Sequence, residues 1–154
     1  MSKRVLVIAH GGRCCGMGHV MRSAALAEAF LSEGACVDFL SKYDAGKDAL
    51  LGKGFDLVGI SEPEPQACSG FSYGTEDSLF REISAVDALL TKSRYDLIVL
   101  DSYNVSAEYF RMLHRHQGYV CYLDDLRLFD YPVDAILNGA AGAEEVEYEP
   151  RSAE

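Results

Sequence analysis

The side chains best placed to do chemistry lie in the segment 16–22, GMGHVMR, which contains Gly16, Gly18, His19 and Arg22. This segment follows a short apolar run and precedes an Ala/Leu-rich stretch, an order that predicts a strand, a glycine loop and a helix. Glycines let the loop turn sharply and approach a ligand, and the helix directs its free N–H groups and positive dipole end at the loop. An anionic group can therefore sit there, and His19 is placed to take part in the chemistry.

Two further polar clusters follow apolar runs later in the chain. Asp101 and Tyr103 come after the run that ends at residue 100, and Asp124 and Asp125 come after the run that ends at residue 123. In an open parallel sheet, ligands bind beyond the carboxyl ends of the strands, where the strand order reverses. With a strand order of 3-2-1-4-5, that reversal lies between the first and fourth strands. The glycine loop and both aspartate clusters would then meet at one edge of the sheet.

Short apolar runs alternate with helical patterns, which predicts an α/β fold with a doubly wound, mainly parallel, Rossmann-like sheet. The predicted strands cover residues 5–9, 36–40, 55–60, 95–100, 119–123 and 135–137. The predicted helices cover residues 22–33, 76–92 and 107–116. Residues 61–74, with two prolines and two glycines, form one long loop, and such loops are often functional.

Length and composition indicate one globular domain, residues 1–138, followed by a loosely ordered tail, residues 139–154, that lacks a periodic apolar pattern. The formal charge of −10 opposes nonspecific binding to nucleic acid or to an anionic membrane. The first apolar run is too short for a signal peptide or a membrane span, and the 5 cysteines form an odd set without a CxxC motif. We expect a reduced, cytoplasmic protein without metal or cofactor.

Each candidate residue also has a structural interpretation. His19 can be a neutral histidine that merely caps a turn, and the three aspartates can bond to their own backbone in turns. Tyr103 can cover the sheet edge. Arg22 can extend to solvent or pair with a carboxylate.

The other histidines and the adjacent cysteines carry weaker signals. Cys14 and Cys15 are interpreted as packing residues because no His/Cys spacing nearby completes a zinc site. His114 and His116 end a polar helix and are predicted to face solvent. His10 stays without an assigned role.

The sequence does not match two common nucleotide-binding motifs. The dinucleotide motif G-x-G-x-x-G, begun at Gly16 and Gly18, needs a third glycine where Met21 stands, and an acidic residue where the second strand ends at Leu40 and Ser41. A phosphate-binding P-loop needs Gly-Lys-Ser/Thr, which follows none of the predicted strands. The sequence therefore disfavours both hydride transfer with a dinucleotide and an NTPase activity.

An ordered series of motifs resembles one known family over about residues 4–139. The series comprises GMGHVMR at 16–22 with AALA at 24–27, DSY at 101–103, YLDDL at 122–126 and YPVDAILNG at 131–139. It resembles the N-terminal half of the PseG/SpsG family, which comprises UDP-sugar hydrolases of pseudaminic acid synthesis and related spore coat polysaccharide biosynthesis proteins. The resemblance implies one half of a GT-B architecture, in which two Rossmann-like domains hold a nucleotide sugar.

The resemblance also implies a chemistry, in which water attacks the anomeric carbon of a UDP-linked acetamido sugar and UDP is released. By resemblance, His19 orients or deprotonates that water, and no metal is required. Asp101 and Tyr103 would line the sugar side of the cleft. The pair Asp124 and Asp125 would hold the loop or contact substrate hydroxyls. The expected substrate-binding residues are Gly16, Gly18, Arg22, Asp101, Tyr103, Asp124 and Asp125.

Members of this family are much longer than 154 residues, and their second domain carries most of the UDP contacts. The resemblance therefore implies half of an enzyme, inactive without a C-terminal nucleotide-binding domain or a partner chain. Two alternatives stay open. The chain can be a non-catalytic sugar-binding or assembly module, or half of a GT-B glycosyltransferase.

Overall fold

The computed structural model describes residues 2–66, 68, 70, 73–116 and 118–148. The strands are β1 Arg4–Ala9, β2 Cys36–Leu40, β3 Asp56–Leu57, β4 Leu97–Asp101, β5 Tyr119–Leu123 and β6 Ala135–Leu137. The helices are α1 Gly18–Ser32, α2 Asp44–Gly52, α3 Glu76–Lys92 and α4 Ala107–His114, with a short 3-10 turn at Ala143–Glu145. All strands join one parallel sheet in the order β3-β2-β1-β4-β5-β6. The predicted α/β, doubly wound, Rossmann-like fold is confirmed.

Helices cover both faces of the sheet. From the central strand β1, Leu6 and Ile8 pack with residues of α3 and α4, whereas Val5, Val7 and Ala9 pack with residues of α1 and α2. Because neither face meets water, the strand is apolar from Val5 to Ala9 instead of alternating with polar residues, and only its first residue, Arg4, is charged and exposed. This explains why continuous apolar runs located the strands in the sequence.

The strand order reverses between β1 and β4. β1 pairs with β2 on one side and with β4 on the other, and its last residue, Ala9, is the register partner of Asp101, the last residue of β4. The glycine loop and the loop after β4 therefore start side by side at the carboxyl edge of the sheet, as the sequence predicts.

Several element bounds differ from those predicted. Helix α1 begins at Gly18 instead of residue 22, without a side-chain cap, so that His19 lies in its first turn and Arg22 at the start of its second. Helix α2 was not predicted, because it is short and contains two glycines among its 9 residues. Strand β3 is shorter than predicted because Gly59, with φ of 92°, turns the chain out of the sheet. No helix in the described ranges has the length and apolar character needed to cross a membrane.

The segment expected to be a loosely ordered tail makes contacts up to residue 148. Tyr148 packs beside the core between the sheet and helices α3 and α4. Its hydroxyl donates to Oδ2 of Asp124 at 2.7 Å and accepts from Nδ2 of Asn138 at 2.8 Å. The expectation for residues 149–154 lies outside the described residues.

Candidate active site

His19 lies in the first turn of α1, beside the carboxyl end of β4. Its Nδ1 atom is 2.6 Å from Oδ1 of Asp101. Burial alone would raise the pKa of Asp101, but hydrogen bonds from Arg22 and His19 outweigh it and hold that pKa below its usual value. A carboxylate only accepts hydrogen bonds, so the 2.6 Å contact favours a ring proton on Nδ1, although Nη2 of Arg22 also lies 3.3 Å from that nitrogen. Neutral His19 then has an unprotonated Nε2 that can accept a proton.

Arg22, one turn further along α1, bridges two carboxylates. Its Nε donates to Oδ2 of Asp101 at 2.7 Å and its Nη2 to Oδ1 at 2.5 Å, while its Nη1 donates to Oδ2 of Asp125 at 2.8 Å. The hydroxyl of Ser23 adds a further bond to Oδ2 of Asp101 at 2.9 Å. Arg22 thus pairs with carboxylates, as one of its two structural interpretations predicts, and the guanidinium links β4 to the loop after β5.

A cavity of about 360 Å³ opens beside these groups. The ring of Tyr103 lies 4.6 Å from that of His19, and the ring of Tyr73 lies 4.6 Å from that of Tyr103. Burial, together with a hydrogen bond to Asp125, raises the pKa of Tyr103 far above neutrality, so its phenol keeps its proton. The walls are Cys15, Gly16, Met17, Gly18, His19, Arg22, Tyr73, Tyr103 and Asp125.

Two of the residues predicted from the sequence stand outside these walls. Asp101 is fully buried behind His19 and Arg22. Asp124 is also buried, and its carboxylate accepts hydrogen bonds from the backbone of Leu126 and Arg127. Two tyrosine hydroxyls bind the same carboxylate, and these bonds outweigh burial and lower the pKa of Asp124. In the structure, Asp124 holds the loop after β5.

Tyr73 was missed by the sequence analysis. It lies in the long loop before α3, where no periodic pattern distinguishes one residue from another, and its ring is 5.9 Å from that of His19. The available signal was an aromatic residue in a long loop near Gly70 and Gly74. Tyr73 brings that loop into the wall of the cavity.

The glycine loop, residues 10–17 between β1 and α1, is linked to the long loop, residues 61–74, at two points. A disulfide joins Cys14 to Cys68, 54 residues away. Next to it, the backbone N–H of Arg13 donates to Oε2 of Glu64 at 2.8 Å. The packing interpretation of Cys14 and the expectation of reduced cysteines are wrong for this pair, because no local spacing reveals a partner so distant in the chain. Cys15 is a buried free thiol, and burial raises its pKa.

His10 belongs to a second polar group, here called the buried charge cluster: His10, Lys42, Ser78, Glu82 and Tyr109. Oε2 of Glu82 lies 2.9 Å from both Nε2 of His10 and Nζ of Lys42. The Tyr109 hydroxyl donates to Oε1 of Glu82 at 2.8 Å, and Nζ of Lys42 donates to Ser78 at 3.0 Å. Burial disfavours the charged form of Glu82, but His10 and Lys42 overcome it and lower its pKa to about 2. The cluster joins the ends of β1 and β2 to α3 and α4.

The prediction that His114 and His116 face solvent is wrong. Nε2 of His114 lies 2.8 Å from the carbonyl oxygen of Pro132, and Nε2 of His116 lies 2.7 Å from Oδ1 of Asp87. Both rings are mostly buried because the end of α4 packs against α3 and against the segment before β6. Neither histidine is near the cavity beside His19.

Comparison with known proteins supports the fold. No family model and no curated protein matches the chain. Among solved structures, the chain is similar to a glycotransferase of kitacinnamycin, with a TM-score of 0.51 and 13% sequence identity. The match covers 79% of this chain and 30% of that one, so the chain spans less than a third of its length. The likeness is one of fold, and it agrees with a Rossmann-like, GT-B-type domain.

Proposed function

We propose that this chain is the N-terminal half of a UDP-sugar hydrolase that releases UDP from a UDP-linked acetamido-deoxy sugar. The observation that carries the proposal is the His19–Asp101 contact of 2.6 Å beside a cavity at the strand-order reversal. A histidine whose Nδ1 is held by a carboxylate is prepared to accept a proton at Nε2. The motif resemblance described above supplies the substrate class.

The charges of the cavity favour an uncharged ligand group. The single guanidinium of Arg22 faces the two carboxylates of Asp101 and Asp125, so the site carries a net negative charge. A diphosphate would be repelled by it, in contrast to the anion that the sequence suggested for the glycine loop, whereas the glycosyl group carries no charge. The rings of Tyr73 and Tyr103 offer apolar faces to the C–H groups of a deoxy sugar. We infer that the cavity holds the glycosyl group and that the diphosphate extends out of it.

The proposed reaction is a hydrolysis at the anomeric carbon. A water molecule between His19 and the sugar loses its proton to Nε2 while its oxygen forms a bond to the anomeric carbon. The bond from that carbon to the phosphate oxygen breaks, and UDP leaves with the electron pair. Attack opposite the leaving group inverts the configuration of the carbon. Neither metal nor cofactor has a role in this scheme.

The nucleotide requires contacts that this domain does not supply in the proposal. We propose that a C-terminal domain or a partner chain binds UDP and closes over the cavity, as in a two-domain GT-B architecture. The product sugar would serve surface or spore coat polysaccharide synthesis, or nonulosonic acid synthesis such as that of pseudaminic acid. The covered fraction of the glycotransferase chain, 30%, leaves room for such a domain in that protein.

His19 gives the direct test. With a matching C-terminal domain joined to the chain, UDP release from UDP-2,4-diacetamido-2,4,6-trideoxy-altropyranose is followed by chromatography. We expect His19→Ala to lower kcat by roughly 10²- to 10⁴-fold with little change in KM, because a proton acceptor acts mainly in the transition state. His19→Asn should behave in the same way, since its amide cannot take the proton.

The matched control is His116→Ala, which removes a histidine that pairs with Asp87 far from the cavity. It should leave kcat and KM unchanged. A parallel loss of substrate binding and rate in His19→Ala, or loss of the fold, would instead identify His19 as a structural turn residue. The proposal also fails if the wild-type protein releases no UDP from this substrate.

A glycosyltransferase half is the second candidate, and the fold likeness to a glycotransferase favours it. The same cavity and histidine would then deprotonate a hydroxyl of an acceptor instead of water. UDP release that requires an added acceptor sugar would support this candidate. UDP release in water alone would support the hydrolase. A third reading, a sugar-binding or assembly module without catalysis, would show binding and no UDP release.

A further inference from the structure

Asp101 has no access to a substrate. It is 0% exposed, and all of its carboxylate positions have partners. Oδ1 contacts Nδ1 of His19 at 2.6 Å and Nη2 of Arg22 at 2.5 Å, and Oδ2 accepts from Nε of Arg22 at 2.7 Å and from Ser23 at 2.9 Å. A carboxylate offers about four acceptor positions, and here each one is used. Any effect of Asp101 on chemistry must therefore pass through His19 or Arg22.

The arrangement around Asp101 fixes the orientation of its carboxylate. Arg22 binds both oxygens with one planar guanidinium, and Ser23 adds a third donor from the same helix turn. Such a fork holds a carboxylate in one plane more firmly than a single ammonium group can. The oxygen that faces His19 is thus held at the position where only a protonated Nδ1 makes a good hydrogen bond.

We propose that Asp101 is a positioning residue, which Arg22 and Ser23 hold in place and which keeps neutral His19 protonated on Nδ1 and unprotonated on Nε2. This inference rests on the proposed function in one respect, namely that Nε2 takes the proton of the attacking water. Which ring nitrogen of His19 carries the proton is a property of the chain that does not depend on the reaction. A histidine in the other tautomer would present an N–H to the cavity and could not accept that proton.

Asp101→Asn provides a matched change of one atom. The amide oxygen should take the Oδ2 position, where Nε of Arg22 and Ser23 both donate, and the amide NH₂ group should then face Nδ1 of His19 and lose the bond from Nη2 of Arg22. An NH₂ group donates, so it favours an unprotonated Nδ1 and moves the ring proton to Nε2. The variant therefore reverses the tautomer while it keeps the size of the side chain.

The control is Asp124→Asn, which alters another buried aspartate at the same edge of the sheet. Its carboxylate also accepts from backbone and side-chain donors, but these come from the loop after β5 and from Tyr131 and Tyr148. Loss of stability without any change at His19 is the expected result. Comparison of the two variants separates a general effect of damaged packing from a specific effect on the ring.

Nitrogen NMR of the full chain measures the ring state directly. In ¹⁵N-labelled wild-type protein, at a pH where the ring is neutral, we expect long-range ¹H–¹⁵N spectra to show Nδ1 of His19 protonated and Nε2 unprotonated. His19→Gln assigns the signal. Asp101→Asn should reverse the pattern, and Asp124→Asn should not. A wild-type ring protonated on Nε2, or an unchanged ring in a folded Asp101→Asn protein, overturns the proposal.

An activity measurement keeps this proposal distinct from the proposed function. In the hydrolysis assay, Asp101→Asn should lower kcat by roughly 10³- to 10⁴-fold with little change in KM, the loss expected when a base is held in the wrong tautomer. If the tautomer reverses as expected but wild-type protein hydrolyses no UDP-sugar, the positioning role stands and the proposed function fails. If Asp101→Asn does not fold, the wild-type ring state alone still decides the matter.

Discussion

Lys42 and Glu82 form a pair of fully buried charges, which is costly to remove from water. Both are 0% exposed, and each takes up the charge of the other at 2.9 Å. Two buried ions gain little over a well-packed apolar pair, but loss of one partner leaves the other charge without compensation. Glu82 also accepts from Tyr109 and lies against His10, so its removal affects the whole buried charge cluster.

Acid should weaken the fold through Glu82. Its pKa in the folded chain is about 2, below the ordinary value of 4.5, so the stabilisation is fully present above 4.5 and is lost as the pH falls toward 2. The shift corresponds to a contribution on the order of 3 kcal/mol. Urea unfolding at a series of pH values should show stability falling across this window in the wild type and a flatter dependence in Glu82→Gln.

The control for Glu82→Gln is Glu33→Gln, at an exposed position after α1. It should keep both the stability and the pH dependence of the wild type. At neutral pH, Glu82→Gln should lose about 3 kcal/mol or more because Lys42 is left buried without its counter-charge. A Glu82→Gln protein with the wild-type slope in acid would show that other carboxylates govern acid unfolding.

Some residues of the candidate site could be predicted from the sequence, and others could not. His19, Arg22 and Asp125 could be located because strand ends in a doubly wound sheet meet at one edge, and all three line the cavity. The burial of Asp101 could not be predicted, because a residue at a strand end can either line the cavity or lie buried behind the residues that line it. Tyr73 required the path of a long loop, which sequence periodicity does not describe.

Helix α2 packs against the glycine loop through a position that has no space for a side chain. The N–H of Gly46 donates to the carbonyl of Gly11 at 2.9 Å. A Cβ at Gly46 would lie 2.8 Å from that carbonyl oxygen and 2.8 Å from Oγ of Ser41. The backbone atoms cannot give way as a flexible side chain could. The glycine that weakens the helical pattern in the sequence is therefore required by the contact.

Gly46→Ala should destabilise the chain by about 1–3 kcal/mol, because it forces the glycine loop away from α2. Gly52→Ala, in the same helix, is the matched control, since a Cβ there meets nothing within 4 Å. It should be neutral or stabilise by up to about 1 kcal/mol through helix propensity. Urea unfolding of both variants measures the difference. Equal stabilities would mean that the loop moves without strain.

At the level of elements, the sequence predicted those whose apolar pattern is long or continuous. Helix α3 has the predicted bounds, Glu76–Lys92, because Thr75 caps it and Val86 and Leu90 continue a regular apolar stripe. The apolar pattern did not predict helix α2 or the short length of β3. Both depend on tertiary contacts, such as the close approach of Gly46, more than on their own sequence.

The molecule as a whole exposes apolar side chains at the carboxyl edge of its sheet. Met21 lies in the first turns of α1, Leu126 and Leu128 follow β5, and Leu137 ends β6, each about half exposed at 47–59%. Because apolar groups near one edge favour association, the chain should self-associate as its concentration rises. Light scattering over a concentration series tests this.

Leu128→Glu should reduce that association, because it places a charge within the apolar edge. Leu51→Glu is the control, since Leu51 is 56% exposed but lies in the last turn of α2, at the opposite edge of the sheet. It should leave association unchanged. A wild-type chain that stays monomeric at high concentration would contradict the prediction and would favour a self-sufficient module.

The parallel pairing of β1 with β4 has a consequence for how the chain folds. The glycine loop and α1 are local structures near the amino terminus, but the carboxylate that contacts His19 is 82 residues further along the chain. Parallel pairing over such a separation requires closure of a long loop, which slows folding. During synthesis, the β1–β2 half can form while β4 has yet to emerge. The contact between His19 and Asp101 therefore reports completion of the sheet's central closure, an event that helix content alone would not reveal.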